Sequence, residues 1–236
     1  MRWTSRTGWY AAAALIALGG LLTAAAAAVR WFPCLGDLAD PTCTARQSRA
    51  YDYLVPADPW QAIPSTAVLA GLGMVLLAAS WPLIVRGLAV RPALRIAIAT
   101  VMVFKPLVLG GMLLAAPVVG VLPRGASPVL LVAEIALDLA ALGFVLAAPS
   151  HRLADYQRLL LATVTFWLVG WVGQVLDALF FTLLTPDAES APGSGLLTAA
   201  IMIGCGVGAA LITRHTPERV SPTPAARDPL ERTRYR

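Results

Sequence analysis

Six uninterrupted apolar stretches, at about residues 9–29, 64–85, 94–116, 128–148, 158–184 and 194–213, leave this 236-residue chain few folds to choose from. Each has about 20 residues or more, the length at which a helix rising 1.5 Å per residue crosses a hydrocarbon core about 30 Å thick. Short segments with proline, glycine and charge, at 86–92, 117–127, 149–157 and 185–193, separate the last five. A longer polar segment, residues 30–63, follows the first. The expected fold is therefore all-α: a polytopic integral membrane bundle of six transmembrane helices forming one domain over residues 1–213, with a tail at 214–236.

Composition supports the exclusion of other classes. The chain is 58% hydrophobic and 13% charged, where a soluble domain has about 45–50% apolar and about 25% charged residues. Neither a soluble globular domain nor a disordered chain fits those values.

The net charge of +5 takes its meaning from position. Of 18 basic residues, 17 are arginine and one, Lys105, is lysine. With a cytoplasmic N-terminus, the inner segments hold Arg2, Arg6, Arg86, Arg91, Arg95, Arg152, Arg158, Arg214, Arg219, Arg227, Arg232, Arg234 and Arg236, and the outer ones only Arg30, Arg46, Arg49 and Arg124. Short cytoplasmic loops retain arginine, so both termini are expected in the cytoplasm. The arginines flank the membrane instead of forming one folded basic face, so the expected partner is the lipid bilayer and not nucleic acid. The tail, rich in Pro, Arg and Thr, reads as disordered, with arginines placed to touch anionic headgroups. Heavy use of Ala, Arg, Gly and Pro suggests a genome rich in G and C, and so a bacterial plasma membrane.

The first stretch has two readings. Arg2 and Arg6 before an apolar core and the run Ala24 to Ala28 resemble a secretory signal peptide with its cleavage site. Its 21 apolar residues exceed the usual signal core of about 7–15, which favours a retained helix.

The outer loop, residues 30–63, carries Cys34 and Cys43 on the side where a disulfide persists. A bridge there would stabilise the loop by roughly 2–3 kcal/mol in the chain-entropy model. A redox role is disfavoured, since thiol–disulfide enzymes use a closer pair such as C-x-x-C. Tyr51, Asp52, Tyr53 and Trp60 form the loop's candidate surface, either a cap on the bundle or a site for a ligand or partner.

Most informative are the ionisable residues inside the apolar stretches. Lys105 lies near the middle of the third, Glu134 and Asp138 in the fourth, Asp177 in the fifth. Each costs roughly 2.5–3.5 kcal/mol at a helix centre, and eleven Leu, Ile, Val and Phe residues barely offset two carboxyls in the fourth stretch. That helix needs partners. Glu134 and Asp138, four apart, share a face. Gly170, Gln174 and Asp177 share another in the fifth stretch, joined by Gly173. Similar depth predicts that Lys105 pairs with Asp138 while Glu134 and Asp177 extend the cluster outward. Pro106, after the lysine, frees the Met102 carbonyl and predicts a local kink. One lysine does not balance three acids, so the group is expected to hold a proton in common.

Little else carries chemistry. His151 and His215 lack a metal-ligand pattern, no phosphate loop is present, and no Ser-His-Asp or Cys-His set falls on one side of the membrane. No cofactor or metal is expected, and no motif points to a particular family. Ala200, Gly204 and Gly208 form a small-xxx-small face for helix packing, within the bundle or against a homo-oligomer partner or other membrane protein. Two halves of matching architecture, as in many carriers, are not found. Two functional classes remain in front: a small-solute or proton-coupled carrier working through the buried cluster, and a structural or accessory subunit in which the cluster is an ion-pair network. An enzyme using carboxylates at the outer leaflet ranks behind both.

Overall fold

The structure, a computed structural model, describes residues 5–34, 36, 63–88, 92–119, 126–147, 153–184, 193 and 195–216. Among them all regular structure is helical: α1 (Ser5–Trp31) ending in a 3-10 turn (Phe32–Cys34), α2 (Pro64–Gly87), α3 (Pro92–Val119), α4 (Ala126–Ala147), α5 (Leu153–Leu168), α6 (Trp171–Leu184) and α7 (Leu196–His215).

Local chemistry sets several of these limits. α1 is built on runs of alanine, the strongest helix former. α2 opens at Pro64, where a missing amide costs nothing, and the Ile63 carbonyl accepts the Ala67 N–H at 2.9 Å. α7 follows Gly195, whose φ of 91° suits a residue without a side chain. α3 continues through Pro106 and Pro117. α7 runs to His215, so its last two residues extend the helix into what was expected to be tail.

Among the described residues, four helical segments are long and apolar enough to cross a membrane: Arg6–Cys34, Pro64–Gly87, Pro92–Val118 and Leu196–His215. The fifth apolar stretch departs from expectation. A single helix over 158–184 is replaced by α5, 16 residues, and α6, 14 residues, separated at Val169 and Gly170. Each falls short of the about 20 residues a crossing needs.

α1 lies between α2 and α7, α3 packs on the other side of α2, and α5 packs on α7. The main crossings run through glycine. A Cβ on Gly73 would stand 2.9 Å from the Gly19 carbonyl oxygen, and one on Gly206 2.8 Å from the Ala13 carbonyl and the Ala17 nitrogen. Gly20 meets Ile203, and Gly71 faces Gly110 across α2 and α3 in the same way. Small residues let helix backbones approach closely where lipid is as apolar as any side chain. Between them are buried Ile16, Met74, Leu77 and Trp81. The outside is also apolar, with Leu21, Ile96, Phe104, Leu139, Leu146 and Leu183 exposed.

One end of the bundle gathers arginine. Arg6 donates to the Arg214 carbonyl at 2.9 Å, and Arg158 donates to the Ile212 carbonyl at 3.4 Å and to Asp155 at 3.0 Å. Both place a cation where the α7 dipole is negative. The Arg158 guanidinium also lies 5.3 Å from the centre of the Trp9 ring, so the start of α1, the start of α5 and the end of α7 are tied together.

Candidate functional site

The polar groups converge where the fifth apolar stretch breaks. Gly170 has φ of 138°, a conformation that L side chains rarely adopt, and Gly173 lies one turn on. A Cβ on Gly173 would collide with the Leu168 carbonyl oxygen. Two glycines therefore make the interruption sterically feasible, and both polar sites of the membrane region lie against it.

On the Gly170 side, Lys105 Nζ of α3 donates to Asp138 Oδ1 of α4 at 2.8 Å. Lys105 is 2% exposed, Asp138 8% and Glu134 5%. A Cβ on Gly170 would stand 2.8 Å from Lys105 Nζ and 2.9 Å from Glu134 Oε1, so the lysine and the second carboxyl meet over bare backbone. The ammonium also lies 5.0 Å from the centre of the Phe166 ring. A desolvated cation–π contact of this kind is worth about 2 kcal/mol. Trp81 of α2 meets Phe166 edge to face, with ring centres 6.1 Å apart and planes at 88°. Four helices, α2 to α5, thus contribute to the surroundings of one lysine.

Asp138 does more than balance that charge. Its backbone carbonyl accepts the Trp167 indole N–H of α5 at 3.3 Å. α4 packs chiefly against α3 and α5, and one residue gives it a polar bond to each. Its outer face, with Val132, Leu139 and Leu146, is exposed.

On the Gly173 side is Asp177 of α6, 2% exposed. The expectation was that it extends the lysine cluster. The described contacts of Asp177 Oδ2 are with the Gly195 backbone N–H, accepted at 3.0 Å, and the Thr198 hydroxyl, accepted at 2.8 Å. Gly195 has no side chain with which to cap α7, and Asp177 supplies the acceptor from another helix. Gln174 is in α6, and its side chain lies outside the described residues.

The other candidate residues divide similarly. Cys34 is buried in the 3-10 turn, while Cys43, Tyr51, Asp52, Tyr53 and Trp60 lie outside the described residues, as do 217–236. Cys205 is a free, buried thiol in α7. Ala200 and Gly204 are exposed, and nothing within the chain lies within 4 Å of a Gly204 Cβ. Gly208 has only the Leu161 side chain nearby, at 3.2 Å. The glycine that packs α7 onto α1 is Gly206, on the other face, which the small-xxx-small spacing did not mark.

Residues that sequence reasoning missed are Phe166, Trp81 and Trp167. An aromatic in an apolar helix gives no sign of which cation or carbonyl it will meet. Gly170 and Gly173 were visible as neighbours of Gln174 and Asp177 but read as a helical face. No protein-family model, no curated protein and no solved structure matches this chain.

Proposed function

We propose that this chain is a multi-pass plasma-membrane protein, of bacterial type, that moves a small solute or a proton through the site formed by Lys105, Glu134 and Asp138. The observation that carries this reading is the helix break at Gly170 set against the buried lysine and Glu134. Interrupted backbone at membrane depth is tolerated only where protein buries it or a cavity faces it. In carriers, such discontinuous helices form the binding site near the midplane. Lys105 lies 13 positions into α3 from Pro92, about 20 Å along the helix axis.

The proposed topology has six crossings, α5 and α6 together making the fifth, with α1 retained and both termini cytoplasmic. Thirteen of 17 arginines fall on that side in the sequence, and the contacts among Arg6, Arg158 and Arg214 at one end agree with it. A Cys34–Cys43 disulfide in the outer loop belongs to the same proposal.

A second reading is supported by the double anchoring of α4 through Asp138. In it the ion pair serves assembly, and the protein is a structural or accessory subunit that co-purifies with a membrane partner. A pH-jump flux assay in liposomes separates the two. Transport requires that Lys105→Ala or Asp138→Asn abolish a proton-dependent flux while the protein stays folded. Flux retained in both variants, with lower stability, supports the assembly role.

A further inference from the structure

Away from the buried lysine, cations gather at the end of the bundle where α1 and α5 begin and α7 stops, and we infer that they hold the phosphate of an anionic phospholipid. The inference does not rest on the transport reading and applies equally to an accessory subunit. The last turn of α7 brings the cations together. Arg6 of α1 donates to the Arg214 carbonyl at 2.9 Å and Arg158 of α5 to the Ile212 carbonyl at 3.4 Å, acceptors two residues apart. Arg6 and Tyr10 both lie within electrostatic range of Arg158. Arg214 belongs to the same turn, with its side chain exposed. Three guanidinium groups therefore meet where three helix ends meet. Asp155, bonded to Arg158 at 3.0 Å, is the one carboxylate beside them among the described residues.

The three arginines are held to different degrees. Arg158 is 5% exposed and is fixed by Asp155, by the Ile212 carbonyl and by the Trp9 ring. Its Nε–H is nonetheless buried without a hydrogen-bond partner among the described residues. Buried donors are nearly always matched, so this one stands ready for an acceptor from outside the chain. Arg6 is partly exposed and Arg214 exposed, and both present N–H groups to an approaching ligand. Neighbouring guanidinium groups repel one another. A phosphate between them offsets that repulsion and accepts paired N–H bonds in the planar geometry that suits arginine.

What lies beneath the arginines favours a lipid over a soluble phosphate ester. Arg6 heads a stripe on α1 at four-residue spacing, Tyr10, Ala14 and Leu18, and Arg214 heads one on α7, Leu211, Val207 and Gly204, all exposed. Both stripes run along their helices away from the charged end. A ligand with its anion among the arginines thus has apolar surface below it for an acyl chain. Tyr10, with an apolar ring and a polar hydroxyl, is the kind of residue found at headgroup level. At the far end of α1 the described arginine, Arg30, is 5% exposed and forms no comparable patch. Anionic lipids are drawn to basic segments at the membrane surface, more strongly with each arginine. A phosphate shared by Arg6 and Arg214 would clamp the start of α1 to the end of α7, beside the bond that already joins them.

Native mass spectrometry and thermal unfolding of the full-length protein in neutral-detergent micelles test the site. The probes are a short-chain phosphatidylglycerol, the phosphatidylcholine of the same chain length, and inorganic phosphate. Phosphatidylglycerol should be retained on the folded protein and raise its Tm, and the other two should do neither. Arg6→Gln with Arg214→Gln should weaken phosphatidylglycerol binding about 30-fold, whereas Arg232→Gln with Arg234→Gln, the same loss of charge in the tail, should change it less than about threefold. Retention is read on folded protein only. Arg214→Gln alone, which alters an exposed side chain and keeps the carbonyl that Arg6 bonds, should still weaken binding about fivefold. Equal retention of phosphatidylcholine, or an equal loss in the tail variant, overturns the inference in favour of general lipid or charge attraction. A response to inorganic phosphate as large as that to phosphatidylglycerol overturns the lipid assignment in favour of a free phosphate.

Discussion

Where α1 meets α2 and α7, backbones touch through Gly19, Gly73 and Gly206. α4 instead reaches its neighbours through Asp138, whose carboxylate accepts from Lys105 and whose carbonyl accepts from Trp167. The contrast shows two solutions to one problem. In lipid, a helix gains nothing by exchanging apolar neighbours for apolar neighbours, so association depends on close packing or on polar contacts. Glycine packing spreads the attraction along a whole interface and works in one geometry. The polar contact concentrates it at one residue and makes it sensitive to protonation. The ionisable site lies where helices are packed more sparsely than at the α1–α2 and α1–α7 crossings.

Substitution should expose that difference, most strongly at the ion pair. Lys105→Met leaves Asp138 buried without its cation and is expected to cost about 3–5 kcal/mol, while Lys105→Met with Asp138→Leu should recover most of the loss. Unfolding in mixed micelles measures both, and a single-variant loss under about 1 kcal/mol would show that α4 is held by packing after all. Next is Gly206→Val, whose side chain would meet the α1 backbone and not a movable side chain. A fall of about 2–3 kcal/mol is expected from overpacking, read by the same titration. If Gly206→Val is tolerated, the α1–α7 crossing is looser than its geometry implies.

A smaller effect is expected at the border between the two regions. Asp177→Ala removes the acceptor for Gly195 and Thr198 at the start of α7, and should cost about 1–2 kcal/mol, the range of a lost helix cap. Hydrogen exchange should show the change first in the amides opening α7. Smallest of all is Gly204→Ala, at an exposed position with no neighbour. It should leave stability unchanged or raise it by up to about 1 kcal/mol through helix propensity. A clear loss, together with a change in oligomeric state on size exclusion, would make this face of α7 an interface between copies.

Legibility in the sequence followed the range of each signal. Apolar length marked where helix would run, because the requirement that backbone polar groups be satisfied inside lipid acts on every residue of a span. It did not mark the interruption at Gly170, since a glycine in an apolar run is equally suited to a straight packed helix. The lysine and three carboxyls stood out because ionised groups in apolar stretches are rare. Spacing within α4 put Glu134 and Asp138 on one face, and depth put Lys105 level with Asp138. Asp177 escaped the same reasoning. One of its partners, Gly195, an N-cap position without a side chain, lies 18 residues further on, out of reach of a face count within one helix. Gly206 was similarly hidden, because choosing which face of α7 is inward requires knowing that α1 comes to rest there.

The arrangement of contacts along the chain has a bearing on biogenesis. Lys105 and Asp138 are 33 residues apart, on helices made one after the other. α3 therefore reaches the bilayer with a lysine whose carboxylate has yet to be translated, and the two helices have reason to enter as a pair. The α1–α7 interface joins two helices far apart along the chain. Until α7 emerges, α1 has Gly20 and the Ala13–Ala17 surface open to whatever surrounds it, lipid or the insertion machinery. Assembly thus follows an order set by the helices' contacts: the ion-paired side can form as soon as α4 follows α3, and the glycine-packed side closes only once α7 has emerged.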